Sequence, residues 1–97
     1  MLRFPNLTRR DKKAGYKGVY NSRDKFTAQV HQSGRRFHLG TFLDEHQAAL
    51  AVNEALVLLY PDLPIRFLNR LLPENVPSPE DQDSIRKEVF VRLAAKP

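Results

Sequence analysis

The sequence predicts an α+β fold: a three-stranded antiparallel sheet packed on one helix, with an additional C-terminal helix. Three observations predict it. Two stretches alternating apolar and polar residues flank Ser33-Gly34, the signature of a tight hairpin. An apolar stripe at helical spacing lies between Asp44 and Pro61, and a second one follows Ser78-Pro79.

Taken in order, residues 1–14 mix Pro5, Asn6, Arg9, Arg10, Asp11, Lys12 and Lys13 without periodicity, and are expected to form a basic flexible arm. Residues 15–69 are expected to form the main domain. Within it Tyr16–Tyr20, aromatic and β-branched but interrupted by Gly18, predicts a first strand, and Asn21–Asp24 carries turn chemistry. Phe26–Gln32 and Arg35–Phe42 are the second and third strands. A two-residue loop at Ser33-Gly34 pairs Gln32 with Arg35, and Gly34 supplies a positive φ. Stepping outward, His31 faces Arg36, Val30 faces Phe37, Gln29 faces His38 and Ala28 faces Leu39.

Because side chains alternate along a strand, this register separates two faces. One carries Phe26, Ala28, Val30, Phe37 and Leu39; the other carries Lys25, Thr27, Gln29, His31, Arg36 and His38. The first is a core face and the second a solvent or ligand face.

A helix is predicted at about residues 45–60. Asp44 suits the N-cap, Gln47 completes a capping box, Glu45 complements the helix dipole, and Pro61 stops the helix. Ala48, Val52, Ala55 and Leu59 form its apolar stripe. Leu50, Leu56, Val57 and Leu58 widen that surface beyond what one sheet can cover. Cover is expected from residues 79–97, beyond a 70–78 linker containing Pro73 and Pro77. There Ser78 caps a helix of roughly 79–95, Pro79 takes N1, and Asp81 completes the box. Ile85, Val89, Phe90 and Leu93 are its expected docking side chains, packing in cis or onto a partner subunit in a homodimer.

The charge is unevenly placed. The net charge is +5 over 97 residues, but residues 1–40 carry +8 and residues 41–97 carry −3. A basic front half points to a polyanionic partner. The chain has no cysteine, which excludes disulfides and thiolate metal sites. No apolar run approaches the roughly 20 residues that span a bilayer, and no secretory apolar segment opens the chain. An intracellular location is expected, in cytoplasm or nucleoid for a bacterial or phage protein and in the nucleus for a eukaryotic one.

Several residues recur at a diagnostic spacing. They are Tyr16-Lys17-Gly18-Val19, Lys25-Phe26 with Ala28 and Val30, and Leu39-Gly40-Thr41-Phe42. Ala48-Ala49, Ala51, Asn53-Glu54-Ala55 and Leu68-Asn69 follow. On these residues the 16–69 segment resembles the APETALA-two/ethylene-response-factor DNA-binding domain. The short Asn21–Lys25 connection is similar to bacterial and phage members, which often accompany homing nucleases.

The resemblance implies a sheet whose outer face enters the major groove of duplex DNA, in a transcription regulator or a nuclease- or recombinase-targeting module. It assigns DNA contact to Lys17, Tyr20, Lys25, Gln29, His31, Arg36 and His38. Thr27 from the polar face, and Arg23 and Arg35 beside the two turns, complete the candidate set. Lys17 and Tyr20 share a face only if a bulge lies near Gly18. Plant members carry arginines and tryptophans where this chain has Tyr20, His31 and His38, and the chain has no Trp. The plant GC-rich target therefore does not carry over.

The chemistry of these side chains suits the task. Arg36 can bind guanine and Gln29 adenine, each through two hydrogen bonds. Lys17, Lys25 and the arm suit phosphates. Two other readings compete: an RNA-binding or nucleoprotein-structural module, and a protein-interaction module that inhibits a nucleic-acid enzyme. The low aromatic count argues against base stacking, and the positive face argues against a DNA mimic. His31 and His38 have no carboxylates among them, so no metal site is expected, and His46 is expected to be solvated. The chain shows no acid–base pair, phosphate loop or nucleophile triad, so neither enzyme activity nor a cofactor is expected.

Overall fold

Backbone pairing at two tight turns organises the sheet. The computed structural model describes residues 15–94, so the basic arm of residues 1–14 lies outside the described residues. The strands are β1 (Val19–Ser22), β2 (Lys25–Gln32) and β3 (Arg35–Phe42), in the spatial order β1-β2-β3 and antiparallel throughout. The helices are α1 (Glu45–Leu59) and α2 (Pro79–Ala94), and short 3-10 turns occupy Ile65–Phe67 and Pro73–Asn75. The α+β architecture expected from the sequence is the one observed.

At the β2–β3 hairpin both turn residues take positive φ, Ser33 at 53° and Gly34 at 80°. That is the backbone a two-residue hairpin needs to match strand twist. The expected pairs Gln32–Arg35, His31–Arg36, Val30–Phe37 and Gln29–His38 all form.

Beyond them the register shifts between Ala28 and Gln29, so Ala28 faces Gly40 rather than Leu39. Leu39 is the extra residue of a β-bulge, and Gly40 takes a φ of 137°. Leu39 and Gly40 are both buried in consequence. Thr41 then pairs with Thr27, and Phe42 with Phe26.

The first strand departs from expectation in two ways. It begins at Val19, not Tyr16, and runs to Ser22, so the turn shrinks to Arg23-Asp24 with Arg23 at φ 63°. Tyr16–Gly18 forms a turn instead, closed by Val19 N–H donating to the Tyr16 carbonyl at 3.3 Å. Gly18 has φ 78°, and a Cβ there would lie 2.8 Å from the Gln29 carbonyl and 2.9 Å from a Val52 methyl. Close approach of backbone to helix sets this turn, and β-propensity yields to it. The bulge expected near Gly18 is not there; the bulge lies in β3.

α1 has the predicted N-cap and stop, but the capping box is not closed: the Asp44 carboxylate takes the His46 N–H, and the Gln47 N–H donates to the Asp44 backbone carbonyl. Asp44 is in extended conformation, its bond from the His46 N–H is 2.9 Å long, and the helix ends at Tyr60 before Pro61. Ala48, Val52 and Ala55 are buried against the sheet, and Leu59 is half-buried. Ala49 and Ala51 are buried too, because α1 is covered from more than one side.

α2 supplies part of that cover in cis, packing on α1 and along β3. Ser78 Oγ accepts from the Asp81 N–H at 3.2 Å, as an N-cap should. Ile85 and Val89 join the same buried cluster as Val19, Ala28, Val30 and Leu39, with Leu93 partly buried against it. Phe90 does not dock. It is 62% exposed beside exposed Val91, because Ile85 and Val89 direct the contact stripe to another side of the helix. Val57 and Leu58 also stay exposed, so α2 covers only part of the surplus apolar surface of α1.

Candidate nucleic-acid interface

Strand alternation and the β3 bulge together build the outer face of the sheet. Its cross-strand rows are Ser22 beside Lys25; Tyr20, Thr27 and Thr41; Gln29 beside His38; and His31 beside Arg36. None of these outward positions holds a carboxylate. Tyr20, Ser22, Thr27, Gln29, His31 and Arg36 line a hollow of about 320 Å³ on this face. The face offers hydroxyls, a carboxamide, imidazoles and two full cations, a set that donates and accepts hydrogen bonds toward an anion.

The ten sequence candidates separate into groups. Tyr20, Lys25, Thr27, Gln29, His31, Arg36 and His38 are brought together on the outer face. Arg23 sits in the exposed β1–β2 turn at one end.

Lys17 lies apart from that face. Its Nζ donates to the Phe67 carbonyl at 2.8 Å and sits 5.7 Å from the Phe67 ring centre. Its backbone is held as well: the Lys17 N–H donates to Asn69 Oδ1 at 2.7 Å, and Asn69 Nδ2 donates to the Lys17 carbonyl at 2.9 Å. No strand runs through Lys17 and no bulge lies near Gly18, so nothing turns Lys17 onto the face that Tyr20 shares.

Arg35 also departs. Opposite Gln32, it belongs to the Phe37 side of the hairpin, with its guanidinium 6.0 Å from the Phe37 ring centre.

Three further residues join the site. Ser22 extends β1 past the expected turn, and the bulge rotates Thr41 outward. A glycine inside a strand pattern is a known sign of a bulge, so Gly40 was the available signal for Thr41. The third is Arg92 of α2, whose Nη1 lies 3.2 Å from His38 Nδ1. No local pattern could have announced a contact 54 positions away.

His38 consequently differs from an ordinary surface histidine. Partial burial first, and the Arg92 charge second, hold its pKa below the usual histidine value. His46 is not merely solvated, as had been expected. Half-buried at the start of α1, its Nδ1 lies 2.8 Å from Tyr16 Oη with the rings edge to face. Burial, then Glu45 and Asp44, push the Tyr16 phenol pKa up.

Among the described residues, no three His, Asp or Glu side chains gather to hold a metal ion. No helix among them is long and apolar enough to cross a membrane. No protein-family model matches the chain, and no curated protein matches it in sequence.

Proposed function

We propose that this protein binds double-stranded DNA sequence-selectively, laying the outer face of its sheet in the major groove, as a transcription regulator or as a targeting module for a nuclease or recombinase. The observation that carries the reading is the face itself. Seven of the ten residues singled out from the sequence share it, no carboxylate interrupts it, and its reverse side is the buried core. Three strands spaced about 4.8 Å apart set the outer two about 10 Å apart, comparable to the roughly 12 Å of a major groove.

The roles divide by chemistry. Arg36 and Gln29 read guanine and adenine edges through paired hydrogen bonds. Lys25 and Arg23, toward the β1–β2 end, take phosphates. Tyr20 is the one six-membered aromatic ring on the face, which disfavours a single-strand reader built on stacked bases.

Selection from random duplex DNA beside random single-stranded RNA tests the proposal. Enrichment of a duplex motif is expected, with log K falling against log salt at a slope of about −4 to −5 if ~4–6 phosphates are neutralised. A flat salt response, or equal affinity for single strands, counts against it.

A further inference from the structure

Arg92 enters the interface from a helix that is no part of the sheet. α2 runs beside β3, anchored by buried Ile85 and Val89, and its last turn brings Arg92 to the edge of the outer face. There Arg92 Nη1 meets His38 Nδ1 at 3.2 Å, while Arg92 Nε donates to Glu88 Oε2 at 2.6 Å. Glu88, one turn earlier, thus fixes the guanidinium from behind.

The chemistry of the pair has one solution. A guanidinium has only N–H donors and keeps its charge at any accessible pH, so in this contact the imidazole must accept. Nδ1 therefore carries a lone pair, and the proton of the neutral ring sits on Nε2. A second ring proton would set N–H against N–H and cation against cation.

We infer that Arg92 is a positioning residue for the interface, holding His38 as a neutral imidazole that presents an Nε2–H donor to the groove. A ring fixed in this tautomer selects acceptors: guanine O6 or N7, adenine N7, or thymine O4, and it rejects the amino group of cytosine. A ring free to exchange tautomers or to protonate reads less. The inference rests on the duplex-binding reading, and extends the interface to a helix outside the 16–69 segment.

The charged and titratable side chains around His38 are few. Arg36 shares its strand and face, His31 and Lys25 lie on the same face of β2, and Arg92 and Glu88 come from α2. α1 packs on the opposite face of the sheet. The Glu88 carboxylate is engaged by Arg92.

The test uses the full chain as wild type, Arg92→Ala, and Lys87→Ala, which removes an equal charge from an exposed position of α2 paired with Asp83. Nitrogen NMR of the His38 ring is expected to show the Nε2–H form in the wild type. Its proton uptake should begin at lower pH than in Arg92→Ala. Duplex affinity above neutral pH should fall about five- to tenfold in Arg92→Ala, with relaxed preference at one base pair, and by less than about twofold in Lys87→Ala. A wild-type ring protonated on Nδ1, or one titrating as it does in Arg92→Ala, overturns the inference. Equal loss in the two variants overturns it too, since bulk charge then explains the effect. If the wild type binds no duplex, the functional reading fails on its own, and the ring spectra still decide whether Arg92 sets the tautomer.

Discussion

The Asn53 carboxamide makes both of its hydrogen bonds to the backbone of Asn69: Nδ2 donates to the Asn69 carbonyl at 2.9 Å, and Oδ1 accepts the Asn69 N–H at 2.7 Å. The Asn69 side chain repeats the pattern on Lys17. Two carboxamides thus tie the middle of α1, the segment after it and the entry to β1 into one chain of bonds. Asn53→Ala leaves the Asn69 peptide without partners at a half-buried place. It should cost about 1–3 kcal/mol of stability, since each such bond contributes roughly 0.5–1.5. Asn53→Asp, which keeps the acceptor and removes the donor, should lose part of that. Urea unfolding of the two variants checks it; a midpoint unchanged by Asn53→Ala would show the clamp to be dispensable.

Gly18 and Gly34 both have positive φ, yet they should respond differently to alanine. At Gly34 no heavy atom lies within 4 Å of an added Cβ, so Gly34→Ala faces only backbone strain of about 1–2 kcal/mol. At Gly18 the same strain combines with contacts of 2.8 Å to the Gln29 carbonyl and 2.9 Å to Val52. The Gln29 carbonyl belongs to the ladder and cannot retreat cheaply. Gly18→Ala should destabilise by about 1–3 kcal/mol more than Gly34→Ala. Equal melting temperatures for the two would contradict the close packing of this turn on α1.

These two clamps also mark where sequence reading reaches its limit. Ser33-Gly34 is a local signal, and it set the register from Gln32–Arg35 through Gln29–His38 correctly. Asp44 with the Ala48, Val52 and Ala55 stripe is likewise local, and α1 followed. Six outer-face residues, Lys25, Thr27, Gln29, His31, Arg36 and His38, were legible for the same reason, since strand alternation carries the information; Tyr20 came from the family resemblance alone. Lys17 lies off the face because Asn69, 52 positions away, holds Tyr16–Gly18 in a turn that the aromatic and β-branched run Tyr16–Tyr20 does not announce. Thr41 was missed because a single-residue bulge reverses alternation beyond it. Arg92 reaches His38 only after α2 has docked.

The two sides of α2 give a third prediction. Val89 is fully buried and the adjacent Phe90 is 62% exposed. Val89→Asp places an unpaired charge in the cluster shared by both helices and the sheet, and should cost several kcal/mol, of the order of 3–5. Phe90→Asp should change stability by less than about 0.5 kcal/mol and improve solubility, because it removes part of an exposed apolar surface shared with Leu58 and Val91. Thermal melting with light scattering distinguishes them. Unfolding by Phe90→Asp at a monomeric mass would mean that the contact stripe is rotated by one position.

The sharpest separation lies across the sheet, between Arg36 and Leu39. Arg36 is exposed on the outer face beside His31, while Leu39 is the fully buried bulge residue of the same strand. Phe37, which alternation alone assigns to the core, is only half-buried under Arg35 and is the weaker probe. Arg36→Ala should weaken duplex binding by ~1–3 kcal/mol and relax preference at one base pair, with stability nearly unchanged. Leu39→Ala should cost ~2–5 kcal/mol of folding stability through the cavity it leaves, and lose binding only as the folded fraction falls. Melting curves set beside binding isotherms, both measured at one salt concentration, decide the matter. If Arg36→Ala unfolds the protein while Leu39→Ala merely releases DNA, the two faces are exchanged, and the sheet surface assigned to the groove is the wrong one.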